Sequence, residues 1–152
     1  MTSYVLAGGG TAGHVNPMLA IADALREREP DCEIVCVGTA EGLEATLVPA
    51  RGYELVIVPR LPFPRPRTVL RTGWRFAAQW PGAVRTVEAL LRERQADVVI
   101  GVGGYASAPA YAAARNTKTP LVIHEANAKP GIANRWAARF TDFVGVTFAG
   151  TP

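Results

Sequence analysis

The segment that decides the fold reads Ala7-Gly8-Gly9-Gly10-Thr11-Ala12-Gly13-His14-Val15-Asn16-Pro17. It follows the apolar run of residues 4–7 and precedes apolar residues that recur at helical spacing from Met18 onward. A strand, a glycine-rich turn and a helix N-terminus together form an anion site, because glycines let a ligand approach the backbone and unpaired helix N–H groups point at it. The segment therefore predicts a phosphate-binding loop, and His14 is an unusual residue inside such a loop.

The pair Asn16-Pro17 predicts where the first helix begins. Asparagine is a favoured N-cap and proline is favoured at the first helical position, which leaves residues 8–15 in a wide loop. The glycines also satisfy the dinucleotide pattern G-x-G-x-x-G, in which the helix starts inside the motif. Pro17 would then lie inside the helix at a cost of about 3 kcal/mol. Glu41 also comes late for a ribose contact, so the pattern argues against a dinucleotide site.

Apolar runs alternate with helical patterns along the whole chain. Further strands are predicted over residues 34–37, 53–58, 97–100, 120–123 and 143–146, and helices over 41–49, 68–79, 82–94, 109–115 and 131–140. Pro81 separates the helix over 68–79 from the helix over 82–94. Strands that are apolar on both faces and alternate with helices indicate a parallel sheet covered on both sides. The chain is therefore predicted to be one α/β domain with a Rossmann-like, doubly wound parallel sheet.

Three polar or glycine-rich clusters follow strands of this sheet, over residues 8–16, 101–107 and 124–134. The second cluster contains Gly101, Gly103, Gly104, Tyr105 and Ser107, and the third contains His124, Glu125, Asn127 and Asn134. A tight turn would explain one or two of the glycines, and His124 or Glu125 would serve equally well as a structural residue. Because ligands bind outside the carboxyl ends of parallel strands, we expect the clusters to converge on one crevice.

The composition indicates a globular chain, with 49% hydrophobic and 19% charged residues among 152. No export signal and no membrane-spanning run is evident, so we expect neither export nor a membrane span. Cys32 and Cys36 are too far apart along an extended strand for an unstrained disulfide, and we expect buried, reduced thiols. No set of cysteines, histidines and carboxylates has metal-ligand spacing, so neither a metal nor another cofactor is expected.

The charge of the chain is unevenly distributed. Between residues 55 and 87 there are six arginines and no acid. Apolar and aromatic residues are interleaved with these arginines: Leu61, Phe63, Trp74, Phe76 and Trp80. Residues 59–66 contain four prolines, which predicts a stiff exposed loop.

Three motifs stand in a fixed order along the chain. They are Gly9-Gly10-Thr11-Ala12-Gly13-His14-x-x-Pro17, Gly101-x-Gly103-Gly104-Tyr105-x-Ser107-x-Pro109, and His124-Glu125-x-Asn127 with Gly131 and Asn134. In order, spacing and placement at strand ends they resemble the motifs of the MurG family, the peptidoglycan glycosyltransferases that add N-acetylglucosamine to lipid I to make lipid II. The resemblance covers essentially the whole chain. Ala12 departs from the commoner pattern, which has glycine there, and adds one methyl group to the loop.

The resemblance implies the N-terminal domain of a GT-B glycosyltransferase, over residues 1–152. In this family two such domains face each other across a cleft: the N-terminal one binds the lipid-linked acceptor and the C-terminal one binds UDP-N-acetylglucosamine. The C-terminal donor domain is absent from this chain, so we expect a hexosyltransferase half that is inactive alone. The alternative is a non-catalytic, membrane-docking subunit that binds the acceptor in a split glycosyltransferase.

The resemblance also implies roles for the motif residues. The transfer inverts the anomeric carbon by direct displacement, with the 4-hydroxyl of the acceptor sugar as nucleophile. His14 is the candidate general base, its rival role is a contact to the acceptor diphosphate, and Glu125 is the alternative base. The acceptor diphosphate would be bound by backbone amides of the two glycine loops together with Thr11: Gly10, Thr11, Ala12, Gly13, Gly103 and Gly104. The acceptor sugar and its hydroxyl would be positioned by Tyr105, Glu125, Asn127 and Asn134. Ser107 is a further candidate for substrate binding.

A lipid-linked acceptor requires docking at the membrane, and residues 60–80 are the predicted surface. Its proposed members are Leu61, Phe63, Arg65, Arg67, Arg71, Trp74 and Arg75. Basic residues near an anionic leaflet contribute about 1 kcal/mol each, and tryptophan and phenylalanine insert among the headgroups. We therefore expect a peripheral protein on the cytoplasmic face of the membrane. The alternative is that Trp74, Phe76 and Trp80 are core residues of a helix with a solvated basic face. Nucleic acid is not an expected partner, because no sequence motif for nucleic-acid recognition accompanies the arginines.

Overall fold

The structure is a computed structural model that describes residues 1–61, 63 and 65–152. Its strands are β1 Ser3–Ala7, β2 Glu33–Gly38, β3 Glu54–Ile57, β4 Val98–Gly101, β5 Leu121–Glu125 and β6 Phe143–Val146. Its helices are α1 Ala12–Arg28, α2 Glu44–Ala50, α3 Val69–Glu93, α4 Ser107–Thr117 and α5 Ile132–Ala137. The strands form one parallel sheet in the order β3-β2-β1-β4-β5-β6, which confirms the predicted doubly wound sheet.

The central strands are apolar on both faces because helices cover both faces of the sheet. Val5 and Val35 are fully buried in a core cluster shared with α3 and α4. Leu6 and Cys36, their neighbours along the same strands, are buried in a second cluster shared with α1. Successive side chains of a strand point to opposite faces, so each strand supplies both cores.

The first helix begins at Ala12, and the prediction that it starts at Pro17 was wrong. Thr11 has extended backbone angles and is the N-cap. Pro17 lies inside α1, where its missing N–H deprives only the carbonyl of Gly13 of a partner. Gly13 is exposed in the first turn, so water can satisfy that carbonyl. The helix thus starts inside the glycine motif, and Pro17 is no argument against a dinucleotide site.

The third helix is continuous through Pro81, and the predicted break between two helices was also wrong. It runs for 25 residues, from Val69 to Glu93. The carbonyl that Pro81 leaves without a donor belongs to Ala77, and both residues are exposed to solvent. Beyond Pro81 the helix packs against α4 through a buried face of Ala83, Val84, Val87, Leu90 and Leu91. This packing stabilises the second half of the helix.

The strand order reverses between β1 and β4, and the loops after these two strands touch each other. A Cβ atom at Gly104 would lie 2.4 Å from the carbonyl oxygen of Gly9, and a Cβ atom at Gly8 would lie 2.3 Å from a methyl group of Val102. Gly104 also has φ +93°, which other residues rarely adopt. The glycines therefore allow two backbones to approach at the switch point, where crevices form in such sheets.

Both cysteines are free and buried, as predicted. Burial raises the pKa of the Cys36 thiol to about 12, so this thiol stays protonated at neutral pH.

Among the residues that the structure describes, no helix is both long enough and apolar enough to cross a membrane.

Candidate functional site

A cleft of about 570 Å³ lies at the carboxyl edge of the sheet, over the switch point. The first and second clusters contribute Gly9, Gly10, Thr11, His14, Gly103, Gly104 and Tyr105 to its lining. The third cluster contributes Gly131, Ile132, Ala133 and Asn134, and the loop before α3 together with its first turn contributes Phe63, Arg65, Thr68 and Thr72. The predicted convergence of the three clusters on one crevice is confirmed.

His14 lies where the three clusters meet. It is in the first turn of α1, and its Nδ1 is 3.4 Å from the hydroxyl oxygen of Thr11. A Cβ atom at Gly103 would lie 3.1 Å from His14 Nε2 and 3.3 Å from Asn134 Nδ2. The imidazole of His14 and the amide of Asn134 therefore both lie against Gly103, in the space that a side chain at this position would fill.

Ser107 is a structural residue, which corrects the prediction that it contacts substrate. It is fully buried. Its hydroxyl accepts the N–H of Gly103 at 3.1 Å and lies 2.9 Å from the carbonyl oxygens of Ala7 and Gly103. Ser107 thus joins the end of β1 to the loop after β4. The N–H of Gly103 is engaged in this bond and does not face a ligand.

Gly10 does not offer its N–H to a ligand either, because a residue absent from the prediction binds it. Glu44, the first residue of α2, is fully buried beneath the glycine loop. Its Oε2 accepts the N–H of Gly10 at 2.8 Å, and its Oε1 accepts the N–H and the hydroxyl of Thr39 at 2.8 Å each. Desolvation raises the pKa of Glu44, but these hydrogen bonds outweigh it and hold the pKa below the ordinary value of 4.5.

Glu125 is held in the same way, which argues against its predicted role as the alternative base. It is 2% exposed at the end of β5. Its Oε1 accepts from the backbone and side-chain nitrogens of Asn127, and its Oε2 accepts from Asn134 Nδ2 and from the N–H of Gly131. Burial raises the pKa of Glu125 and the hydrogen bonds lower it further than burial raises it. An ionised carboxylate with four donors on it is poorly placed to accept a substrate proton.

The side-chain amides of Asn134 and Asn127 form hydrogen bonds within the protein. Asn134 is 3% exposed, and its Oδ1 accepts the hydroxyl of the buried Tyr111 at 2.6 Å. Its Nδ2 donates to Glu125, so both ends of the amide are engaged. Asn127 is exposed, but it lies outside the cleft lining and its Nδ2 donates to Glu125 at 3.0 Å. Tyr111 is absent from the predicted site residues, and its ring fills the space over Gly101.

The groups that remain open to the cleft favour an anionic ligand. The guanidinium of Arg60 lies over the ring of Tyr105, 4.9 Å from its centroid, and Arg65 lines the cleft. Thr11 caps α1 without a side-chain hydrogen bond, so the N–H groups of Ala12 and Gly13 have no partner within the helix. Ala12 and Gly13 are exposed beside the cleft lining.

The predicted membrane surface is only partly exposed. Leu70 is 94% exposed and Trp74 is 67% exposed on the first turns of α3. All four predicted arginines are exposed on or just before these turns: Arg65, Arg67, Arg71 and Arg75. Trp74 belongs to the predicted set, whereas Leu70 does not.

Leu61 was predicted to belong to the membrane surface, and this prediction was wrong. Its side chain is 4% exposed and does not reach the surface. Phe63 is half-buried against Phe76, with ring centroids 5.7 Å apart, and Phe76 stacks on Trp80 at 5.2 Å. The alternative interpretation as core residues thus fits Trp80, which is partly buried against the core cluster, and not Trp74, which is 67% exposed; Phe76 is half-buried between Phe63 and Trp80. Two prolines of the predicted stiff loop, Pro62 and Pro64, lie outside the described residues.

No group of three or more histidine, cysteine, aspartate or glutamate side chains within residues 1–61, 63 and 65–152 is arranged to hold a metal ion.

The family model described as "Glycosyltransferase family 28 N-terminal domain" matches residues 4–146, and the chain belongs to this family. The chain is 58% identical over 151 residues to the UDP-N-acetylglucosamine–N-acetylmuramyl-(pentapeptide) pyrophosphoryl-undecaprenol N-acetylglucosamine transferase of Leifsonia xyli subsp. xyli, covering 99% of this chain and 42% of the relative. It is 59% identical over 151 residues to the protein of that name from Clavibacter michiganensis subsp. michiganensis, covering 99% of this chain and 41% of the relative.

A solved structure agrees with these relatives. The crystal structure of Acinetobacter baumannii MurG superposes with a TM-score of 0.79 at 25% identity, covering 100% of this chain and 42% of that one. The resemblance to MurG inferred from the three motifs is thus confirmed, as is the GT-B-like N-terminal fold. The chain spans 42% of the length of the Leifsonia relative and of the solved MurG chain.

Proposed function

We propose that this chain is the acceptor-binding half of an inverting glycosyltransferase that makes lipid II from lipid I and UDP-N-acetylglucosamine. The observation that carries the proposal is the meeting of His14, Gly103 and Asn134 in one cleft, since each comes from a different MurG-like motif. The relatives are named as N-acetylglucosamine transferases that act on a pyrophosphoryl-undecaprenol acceptor. The donor nucleotide would be bound by a second domain, since residues 1–152 match only 42% of the length of the Leifsonia relative and of the solved MurG chain.

The acceptor diphosphate would bind at the positive end of α1. The first-turn N–H groups of Ala12 and Gly13 have no partner within the helix, and the helix dipole favours negative charge there. Thr11 and Arg65 line the adjoining part of the cleft and supply a hydroxyl and a guanidinium. Gly104 and Tyr105 line the cleft on the side of β4, and Tyr105 forms the wall against which the acceptor sugar would pack.

The proposed reaction is a single displacement. The 4-hydroxyl oxygen of the acceptor sugar forms a bond to the anomeric carbon of N-acetylglucosamine, and the bond from that carbon to the UDP oxygen breaks with inversion. The hydroxyl proton passes to a ring nitrogen of neutral His14, and UDP leaves with the bonding electron pair. The contact between His14 Nδ1 and Thr11 orients the ring, which leaves Nε2 as the nitrogen for the proton.

The first turns of α3 would place the lipid of the acceptor at the membrane. Thr68, just before the helix, and Thr72 line the cleft, whereas Leu70 and Trp74 are exposed. Residues two apart on a helix point about 200° apart, so the cleft and the exposed apolar pair lie on opposite sides of one segment. The headgroup of a lipid-linked acceptor would enter the cleft while its chain stays in the bilayer. The protein would then bind the cytoplasmic face of the membrane peripherally.

We expect Trp74→Ala to weaken binding to anionic vesicles about tenfold, because an exposed indole inserts among the headgroups. Replacing Arg67, Arg71 and Arg75 together by glutamine removes about 1 kcal/mol per charge and weakens binding about 100-fold. Vesicle sedimentation at constant ionic strength measures both effects. Phe143→Ala is the matched control, because Phe143 is 66% exposed on β6, away from α3. Equal binding to neutral and anionic vesicles, or none to either, refutes electrostatic docking.

A chimera tests the proposed activity. Residues 1–152 are joined to the C-terminal part of the Leifsonia relative, and transfer from UDP-N-acetylglucosamine to a short-chain lipid I analogue is measured. We expect transfer by the chimera and none by the chain alone. Transfer by the chain alone contradicts the proposal. A folded chimera that binds both substrates but transfers nothing favours the alternative, a non-catalytic subunit that binds acceptor and membrane.

A further inference from the structure

Glu44 is a buried acid to which the proposed reaction gives no role. Its carboxylate lies beneath the glycine loop and joins two strand ends: the loop after β1 through Gly10 and the end of β2 through Thr39. A carboxylate is unfavourable in the interior unless donors surround it. The three donors found here, each 2.8 Å from a carboxylate oxygen, therefore determine where this side chain lies.

Three glycines form the space that the carboxylate occupies. A Cβ atom at Gly9 would lie 2.2 Å from Glu44 Oε1, and one at Gly42 would lie 2.0 Å from Oε2. A Cβ atom at Gly38 would lie 2.4 Å from Cγ of the same side chain. Side chains at these positions would displace Glu44, so the carboxylate is enclosed and gives the loop above it a rigid support.

The hydrogen bond to Glu44 restrains the segment of the chain that leads to His14. Gly9 and Gly10 have φ +155° and +93°, and Gly10 is exposed to solvent. Glycines in such a loop reach many conformations unless a bond holds them. The bond from Gly10 to Glu44 holds them immediately before Thr11, the N-cap of the helix whose first turn carries His14.

We propose that Glu44 is a positioning residue: through Gly10 it sets the glycine loop and the start of α1, and thereby places His14 for the acceptor. It also engages the N–H of Gly10, so that an anion in the cleft must bind the remaining donors. This inference rests on the proposed function for its substrate, but the hold on Gly10 is testable without substrate.

Amide exchange of the chain, followed by NMR, tests the hold on Gly10. We expect Glu44→Gln to accelerate exchange at Gly10 about tenfold or more, because a hydrogen bond to a charged acceptor is lost. Exchange at the buried amides of β1 stays unchanged, and the ring signals of His14 shift. Glu29→Gln is the matched control: its carboxylate accepts the hydroxyls of Thr2 and Tyr4 at the opposite edge of the sheet. Thr39→Val, which removes one donor to the same carboxylate, replaces Glu44→Gln if that variant does not fold.

Titration with a soluble lipid I analogue tests the consequence for substrate. We expect Glu44→Gln to weaken binding of the analogue about tenfold while the protein still unfolds cooperatively, and Glu29→Gln to leave affinity unchanged. If amide exchange at Gly10 is unchanged in Glu44→Gln, the positioning role of Glu44 is overturned, while the acceptor assignment is not affected. Faster exchange with unaltered His14 signals and unaltered affinity also overturns this role, since Glu44 then serves only folding. A wild-type chain that does not bind the analogue refutes the acceptor assignment and the role of Glu44 with it.

Discussion

Replacing His14 by alanine in the chimera is expected to lower kcat by about 10² to 10⁴, the range that general acid–base catalysis typically contributes. The expected change in acceptor affinity is small, because the diphosphate is assigned to the first-turn N–H groups, Thr11 and Arg65 and not to the imidazole. Steady-state kinetics at saturating UDP-N-acetylglucosamine, together with direct titration of the acceptor, separates the two quantities. Asn16→Ala is the control, because Asn16 is exposed on the same helix and does not line the cleft.

The competing role for His14 gives a different result. If the imidazole binds the acceptor diphosphate, His14→Ala weakens acceptor binding and leaves kcat at saturation unchanged. Such a result contradicts His14 as the base. Glu125 would not replace His14 as the base, because its carboxylate accepts four hydrogen bonds and is 2% exposed.

Gly104→Ala is expected to lower the free energy of unfolding by about 2 to 4 kcal/mol. A non-glycine residue held in a sparsely populated backbone region costs about 1 to 3 kcal/mol. At Gly104 the φ value is +93°. The added Cβ would also lie 2.4 Å from the carbonyl oxygen of Gly9, which forces the two loops apart at the switch point. Denaturant unfolding of the chain measures the change.

Gly82→Ala is the matched control for this prediction. Gly82 lies inside α3 with nothing within 4 Å of its Cβ position, and alanine in a helix is favoured over glycine by about 0.5 to 1 kcal/mol. The same chemical change is thus expected to stabilise at one position and destabilise at the other. A loss below about 0.5 kcal/mol for Gly104→Ala contradicts the close approach of the two loops.

The fold was predictable because its strands are unambiguous in the sequence. Apolar runs such as residues 34–37 and 97–100 are too short for helices and lie between helical patterns, and both are strands of the parallel sheet. The errors concern proline. Pro17 and Pro81 deprive only exposed residues, Gly13 and Ala77, of a hydrogen bond, so the helices continue. The proline positions alone did not show that Gly13 and Ala77 are exposed in the folded structure.

The candidate site was predictable only as a set of loop residues. Strand ends and glycines indicated the clusters, and His14, Thr11, Gly104 and Tyr105 do line the cleft. Ser107 and Glu125 have the same polar character in sequence, but they turn inward and hold the loops.

Two residues were missed because their partners are distant in sequence. Glu44 binds Gly10, 34 positions away, and Tyr111 binds Asn134, 23 positions away. Such pairings arise from the packing of strands and helices, and local pattern does not contain them.

Amide NMR of the labelled chain shows whether this cleft binds a lipid-linked diphosphate sugar. A soluble lipid I analogue and UDP-N-acetylglucosamine are titrated separately. We expect the acceptor analogue to shift the amides of Thr11, Ala12, Gly13, Gly104 and Tyr105, and UDP-N-acetylglucosamine to leave them unshifted. Shifts of these amides by the nucleotide sugar, with no response to the acceptor analogue, would contradict the proposal that this cleft binds the acceptor.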